Sequence, residues 1–351
     1  MTMGPTGERA LIQIHPTRRC NLRCRHCYTS SGPEANDVLP PELLRAAAEE
    51  AAALGYGYLG VSGGEPLLYR PLPDVLEAAH DAGMRTAVTT NGMPLGRAAA
   101  ARLAGLIDVL AISLDGTPAS HVAMRGHPKA FSAMAANLDH VRTAGIPFGF
   151  IFTLTQHNLD ELRWVLDFAE AEGAVMVQVH PLDQQGRATE TMPAASPDSV
   201  ELGMAVMAAE AEGTGRSVAV HVDAIWRDDL RAFPDRFLGS GIPGTTTLGE
   251  WVRPLVVEAT GRVVPLAYGV DDRLALGNLH DAPLSELAGQ WHAEQAPRFA
   301  SLCARAFEAL TRPVAPAVTY WYAATARLVE AFLDAEPTSV SVRPRAASVR
   351  S

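Results

Sequence analysis

The chain has almost no lysine and very little cysteine. Lys129 is its only lysine, and four of its 351 residues are cysteines. The formal net charge of −10 argues against a nucleic-acid-binding protein, because contacts with phosphate need a basic surface. Three of the four cysteines lie between positions 20 and 27, which is not the distribution of a disulfide framework.

Long apolar runs are also missing. A membrane-spanning helix needs about 20 mainly apolar residues, whereas the first apolar run extends only from Ala10 to Ile14. No segment near the N-terminus has the pattern of a signal peptide. With 48% hydrophobic residues, the chain can still bury a large core. We therefore predict a globular, cytoplasmic protein with neither membrane nor nucleic acid as a partner.

Strand and helix patterns alternate through the first half of the chain. The apolar stretch ALIQIHP (10–16) precedes a segment that begins with Pro40 and Pro41 and ends at Gly55, as helices do. Five more strand-like segments follow without polar alternation, which is typical of strands covered on both faces of a parallel sheet. We predict an α/β fold, a partial (β/α)6 TIM-like barrel over residues 8–190. A flat doubly wound sheet is the alternative.

Polar and glycine residues follow these strands at the positions where a barrel builds its site. The carboxyl ends of parallel strands meet at one mouth. The segments that follow them are the cysteine-bearing stretch 18–30, SGGEP (62–66), TTNG (89–92), SLDG (113–116), TQHN (155–158) and HPLDQQGR (180–187). Each alone could be an ordinary turn. Their occurrence after six successive strands predicts a functional site at the mouth.

The three clustered cysteines have the spacing C-x3-C-x2-C. A structural zinc ion takes four ligands, usually as two separated pairs, and only His15 or His26 could complete such a set nearby. A 4Fe–4S cluster held by three thiolates keeps one iron without a protein ligand, where a small molecule can bind. The spacing favours the cluster and leaves zinc as the alternative.

C-x3-C-x2-C after the first strand, GGEP after the second, and TNG and SLDG after the next two resemble the radical S-adenosylmethionine (radical SAM) superfamily. This resemblance covers about residues 8–190. It implies one 4Fe–4S cluster on Cys20, Cys24 and Cys27, with S-adenosylmethionine on the remaining iron. It also implies an enzyme that generates a 5′-deoxyadenosyl radical, which abstracts hydrogen from a substrate.

The resemblance assigns cofactor contacts to the GGEP segment. Gly63 and Gly64 would let the backbone approach the methionine group, Glu65 would accept from its ammonium group, and Pro66 would stiffen the turn. Asn21 and Leu22 would shape the cysteine segment.

Further cofactor-binding residues implied by the resemblance follow later strands: Asn91, Ser113, Asp115, Arg125 and His180. Ser113 and Asp115 are expected to contact the ribose or the methionine group. Arg125 resembles an arginine that pairs with the methionine carboxylate, with a surface arginine as the alternative. His180 is expected near the adenine, at the substrate, or as a satisfied core histidine.

The pattern changes after residue 190. We predict a linker and connection over 191–245, an extension over 246–295, a helical segment over 296–335 and a disordered tail over 336–351. The extension contains a hairpin that turns at Gly261 and resembles a SPASM or twitch domain. Leu266 stands where such domains have a cysteine, so we expect no auxiliary clusters. Cys303 is a candidate hydrogen donor, with a buried apolar cysteine as the alternative.

Three functional hypotheses follow. The first is modification of a ribosomally made peptide, and the second is the same chemistry on a small-molecule natural-product intermediate. The third is a non-catalytic iron–sulfur or metal protein that acts as a scaffold or sensor. An electron donor such as flavodoxin or ferredoxin is expected. Because few residues precede the first strand, peptide recognition is expected from a separate protein or from the C-terminal half.

Overall fold

The structure is a computed structural model that describes residues 10–234, 237 and 247–335. The predicted disordered tail (336–351) lies outside the described residues, as do residues 8 and 9 of the predicted core and most of 235–246 in the predicted linker. None of the described helices is both long enough and apolar enough to cross a membrane.

Six parallel strands in sequential order form the centre of the fold. They are β1 (Ala10–Ile14), β2 (Tyr56–Val61), β3 (Arg85–Thr90), β4 (Val109–Ser113), β5 (Phe148–Leu154) and β6 (Met176–Pro181). A doubly wound sheet reverses its strand order at a switch point, and the order from β1 to β6 does not reverse. Other strands flank β1 and β6, so the barrel is open. The predicted partial (β/α)6 barrel is confirmed.

Helices connect these strands and cover one side of the sheet. They are α1 (Pro41–Ala53), α2 (Leu72–Asp81), α3 (Arg97–Leu103), α4 (Pro118–Arg125), α5 (Ala130–Thr143), α6 (Leu162–Ala171) and, after β6, α7 (Ala188–Thr191). In α1, Leu44, Ala47, Ala48 and Ala51 are buried, which is the spacing of one helix face. This face packs into the main hydrophobic core together with the strand residues that point towards the helices.

The other face of the sheet is only partly covered. In β1, β3 and β6, buried residues alternate with half-buried or more exposed ones. The expectation of strands covered on both faces therefore fails for β1, β3 and β6, whereas six of the seven residues of β5 are buried. Strand register places Gln13, Gly60 and Ala87 side by side on this second face, and likewise Ile151 and Gln178. We call it the lumen face.

The C-terminal half extends the same sheet at both edges. After α8 (Ser199–Gly213), β7 (Ala219–Val222) pairs with β6. At the other edge, β9 (Leu255–Val257) runs parallel to β1, and β10 (Arg262–Pro265) and β11 (Gly277–Asn278) follow in antiparallel order. The β9–β10 hairpin contains Gly261 at a positive φ of 84°, as the predicted turn requires.

The remaining described elements are helices and one small sheet. β8 (Ile225–Trp226) pairs with β12 (Val318–Thr319). The helices are α9 (Arg227–Ala232), α10 (Leu284–Glu294), α11 (Ala296–Thr311) and α12 (Trp321–Ala335). β7 and β9 belong to the same sheet as the barrel strands, so the sheet does not divide the chain at the predicted domain boundaries. Those boundaries stay predictions.

One hydrogen bond across the junction of barrel and extension is suitable for a stability test. The buried Tyr56 hydroxyl donates to Val252 O at 3.0 Å. We expect Tyr56→Phe to lower the free energy of unfolding by about 1–3 kcal/mol, because it leaves a buried carbonyl unpaired. Urea denaturation measures this. Tyr58→Phe, at a half-buried hydroxyl with no hydrogen bond to the described residues, is the control and should change little. Equal losses in both variants would contradict the role of this bond.

Candidate functional site

The three clustered cysteines come together beyond the end of β1. Cys20 and Cys24 are each 8% exposed, and they pack with Leu22. Cys27 and Met93 lie against this small group. We call residues 18–31 the cysteine loop.

Each of the three sulfurs accepts a hydrogen bond. The donors are Leu22 N to Cys20 (3.4 Å), Arg125 Nη1 to Cys24 (3.8 Å) and Ser31 N to Cys27 (3.3 Å). Burial raises the pKa of Cys20 to about 12, and burial also raises the pKa of Cys24 despite the nearby Arg125. A buried thiol becomes a thiolate readily only when a cation compensates its charge, as a metal centre does.

The cysteine loop rests on the GGEP segment. Gly64 N donates to Thr17 O at 2.7 Å, and Glu65 N donates to Arg19 O at 2.9 Å. A Cβ atom on Gly64 would lie 2.2 Å from Arg19 O, and one on Gly63, whose φ is +119°, would lie 2.6 Å from Thr17 O. Both glycines are therefore needed for the contact with the cysteine loop and the residues just before it. The expected approach of these glycines to a methionine group stays a prediction.

Glu65 has hydrogen-bond partners within the protein. Its side chain is fully buried and accepts from Thr90 Oγ1 (2.7 Å), Asn91 N (2.9 Å) and Leu67 N (3.1 Å). Burial raises its pKa, whereas these donors oppose the rise. Three protein donors hold this carboxylate in place, and the expected contact of Glu65 with a ligand ammonium group stays a prediction. Glu65 joins the GGEP segment to the end of β3.

Asn91 and Pro66 lie where the sequence suggested, at the strand ends. Asn91 Nδ2 donates to Asn21 Oδ1 at 2.9 Å and lies 3.9 Å from Cys20 Sγ. Pro66 begins a short 3-10 helix over Pro66–Leu68. The TNG segment therefore contacts the cysteine loop directly.

Asp115 and Arg125 form a buried ion pair. Arg125 Nε donates to Asp115 Oδ2 at 2.6 Å, and Asp115 Oδ1 accepts from Thr153 N at 3.4 Å. Burial raises the pKa of Asp115, but the charge and hydrogen bond of Arg125, together with the nearby His26 and His121, more than offset this, so the pKa lies below its usual value. The surface alternative for Arg125 was wrong, because the residue is only 8% exposed. The Asp115 carboxylate pairs with Arg125, and its expected contact with a ligand stays a prediction. Ser113, at the end of β4, is also buried.

His180 lies on the lumen face at the end of β6. Its Nδ1 is 2.8 Å from Asp223 Oδ2, and its ring packs edge-on against Tyr320 at 5.2 Å. Gln178 Nε2 also donates to Asp223, at 2.7 Å. Because the His180 side chain is 35% exposed, the core-histidine alternative was wrong. The adenine and substrate alternatives stay predictions.

Sequence reasoning missed Arg187, which donates three hydrogen bonds to the cysteine loop. Its Nη1 donates to Cys24 O at 2.7 Å, its Nη2 to Ser31 O at 2.6 Å, and its backbone N to Cys27 O at 2.9 Å. A Cβ on the preceding Gly186 would lie 2.3 Å from Tyr28 O. The only signal in the sequence was a glycine–arginine pair within the polar segment after β6.

A model of the radical SAM superfamily matches residues 14–169, which contain the cysteine loop, the GGEP segment and the Asp115–Arg125 pair. Residues 14–169 are a radical SAM domain.

Two curated relatives and one solved structure illustrate the similarity. Fe-coproporphyrin III synthase of Methanosarcina barkeri is 31% identical over 182 residues, 51% of this chain and 46% of that protein. PqqA peptide cyclase of Xanthomonas campestris pv. campestris is 27% identical over 308 residues, 85% of this chain and 77% of that protein. The chain spans about half the length of Fe-coproporphyrin III synthase and of two AdoMet-dependent haem synthases.

Streptococcus suis SuiB bound to its precursor peptide SuiA superimposes with a TM-score of 0.63 at 14% identity. The match covers 82% of this chain and 65% of that one. At this identity the likeness shows the fold alone.

The radical SAM family uses one 4Fe–4S cluster and S-adenosylmethionine, and the residues present fit the cluster. Three neighbouring thiols, each with a hydrogen-bond donor, match its ligand set. Each thiolate of such a cluster binds a different iron, so the sulfurs need not surround a single point. Among residues 10–234, 237 and 247–335, no three His, Cys, Asp or Glu side chains form a group that could hold one metal ion.

Cys303 lies in a different environment from the other cysteines. It is on α11 and packs, partly buried, against the main hydrophobic core. Burial raises its pKa to about 12. These surroundings favour the alternative that Cys303 is a buried apolar residue over the prediction that it donates hydrogen.

The close approach of Gly64 to Arg19 generates a prediction about cluster retention in this radical SAM domain. We expect Gly64→Ala to lose most of its iron after anaerobic reconstitution, because the methyl group would force the cysteine loop away from the GGEP segment. Iron and sulfide analysis of the folded variant measures this. Gly96→Ala is the control, since nothing lies within 4 Å of its Cβ position. Wild-type iron content in Gly64→Ala would show that the contact is not needed.

Proposed function

We propose that the chain is a radical SAM enzyme that modifies a ribosomally made peptide. When bound, the cluster and S-adenosylmethionine supply one-electron cleavage to a 5′-deoxyadenosyl radical, which abstracts hydrogen from the substrate. The chain's own residues would hold these groups, orient the substrate on the lumen face and exclude water.

The observation that carries this proposal is the extent of similarity to a peptide-modifying relative. The match with PqqA peptide cyclase covers 85% of this chain and therefore includes part of the C-terminal half. The match with Fe-coproporphyrin III synthase covers only 51%. A SPASM-like role for residues 246–295 and a separate peptide-recognition protein remain parts of the proposal.

The geometry supports specific roles for the residues around the cysteine loop. Cys20, Cys24 and Cys27 would ligate three irons. Arg125, fixed by Asp115, places a positive charge beside Cys24 and would stabilise its thiolate. Beyond the loop, the half-buried lumen face offers His180 and Gln178 as polar groups beside the small residues Gly60, Ala87 and Ala111, which leave room for a substrate.

A small-molecule substrate is the second candidate. It is favoured because several of the relatives are named for haem synthesis, with identities of 31–36%. Either candidate is expected to work without an auxiliary cluster, because Cys303 is the only cysteine outside the cysteine loop. A single cluster favours redox-neutral outcomes such as epimerisation or rearrangement, or bond formation with an external electron acceptor.

One anaerobic experiment tests the catalytic proposal. After reconstitution we expect about four irons per chain and, with dithionite and S-adenosylmethionine, release of 5′-deoxyadenosine. Replacing any one of the three loop cysteines with alanine should abolish both the iron binding and the release of 5′-deoxyadenosine. Stimulation by a short precursor peptide would support the first candidate, and stimulation by a porphyrin would support the second. Bound zinc, or no 5′-deoxyadenosine, would support the non-catalytic scaffold or sensor, and clearly more than four irons would contradict the absence of auxiliary clusters.

Cys303 allows a separate test. We expect Cys303→Ala to keep wild-type iron content and wild-type 5′-deoxyadenosine release, because its thiol packs in the helical layer on α11. Cys24→Ala is the contrasting variant. A Cys303→Ala protein that still forms 5′-deoxyadenosine but no longer turns over an identified substrate would restore this thiol as a hydrogen donor.

A further inference from the structure

An open groove lies beside the start of the cysteine loop, outside the lumen. Thr17 and Arg19 line it together with residues 38–41 and 68–71, and its volume is about 520 Å³. We propose that this outer groove is the docking surface for an acidic, flavodoxin-class electron donor. The proposal rests on the proposed function, since only a reducible cluster needs such a partner.

The groove lies next to the predicted cluster ligands. Arg19 directly precedes Cys20, and Arg19 O accepts from Glu65 N, so this wall is continuous with the contact between cysteine loop and GGEP segment. The other wall begins three residues after Glu65, at Leu68. A protein seated here would approach Cys20 without passing through the lumen, which stays available to the substrate.

The charge of the groove is opposite to that of the chain. Arg19 and Arg70 are its only charged lining residues, and both are exposed, whereas the chain carries −10 overall. Nearby, Arg18 is neutralised by Asp37 at 3.4 Å. Acidic residues also stand at the edge, Glu42 in the first turn of α1 and Asp74 in that of α2.

Two helices also begin at this groove. The N-cap residues of α1 and α2 are Pro40 and Pro71, and neither provides a side-chain cap. The N-terminal ends of helices carry partial positive charge, which adds to that of the two arginines. An acidic surface is therefore the complementary partner.

The centre of the groove is apolar. Val38 is 52% exposed and Leu68 is 39% exposed, and they are two of only eight large hydrophobic side chains exposed among the described residues. An apolar centre with a charged rim is typical of protein interfaces, and electron-transfer complexes are among the smallest of these. The flat apolar edge of a flavin ring matches such a centre better than an iron–sulfur carrier does, so we commit to a flavodoxin.

The test compares two electron donors and one matched variant. The variant Arg70→Glu reverses a groove charge outside the cysteine loop, and Arg97→Glu makes the same change on the exposed side of α3. For each reconstituted protein, 5′-deoxyadenosine release is measured with reduced flavodoxin and, separately, with dithionite. Binding of oxidised flavodoxin is measured by calorimetry at low and physiological salt.

We expect the groove variant to lose roughly tenfold or more in flavodoxin-driven release and in affinity, with a weaker dependence on salt. Its dithionite-driven release and the behaviour of the α3 variant should stay at wild-type level. The proposal is overturned if wild type does not bind flavodoxin, if both variants lose equally, or if only a ferredoxin depends on Arg70. Failure of wild type with dithionite would instead overturn the proposed function.

Discussion

The site depends on holding one loop with three clustered thiols against the ends of the parallel strands. Four strand ends contribute: Gly64 after β2, Asn91 after β3, Arg125 beyond β4 and Arg187 beyond β6. Each contact joins the cysteine loop or the residues just before it to a different part of the barrel. A shift of any one strand end would therefore move at least one sulfur, and the sheet as a whole sets the geometry of the site.

The buried charged side chains at the site depend on specific hydrogen-bond partners. Glu65 and Asp115 are both fully inaccessible, and each has its carboxylate oxygens occupied by protein donors. A buried carboxylate without partners is costly, so removing one donor destabilises the arrangement by more than one ordinary hydrogen bond. The carboxylates of Glu65 and Asp115, which were predicted to bind the cofactor, therefore also stabilise the fold around the site. Sequence reasoning had assigned these two carboxylates directly to the ligand.

The open barrel separates two approaches to the cysteine loop. In the proposed function, the lumen face would present His180 and small residues to a substrate, whereas the outer groove would present Arg19 and Arg70 to an electron donor. Such a division lets substrate and electron donor bind at the same time, which suits chemistry that begins with electron transfer.

The sequence by itself determined the features that depend on neighbours along the chain. Periodic apolar segments predicted the six strands, the cysteine spacing predicted the metal-binding loop, and Gly261 predicted the hairpin, because each follows from local backbone and side-chain preferences. Only the tertiary structure decided which groups meet. Arg187 binds a carbonyl 163 residues away, and Arg125 contacts a sulfur 101 residues away. No local pattern specifies such partners, since they are selected by strand order and by the need to pair every buried charge.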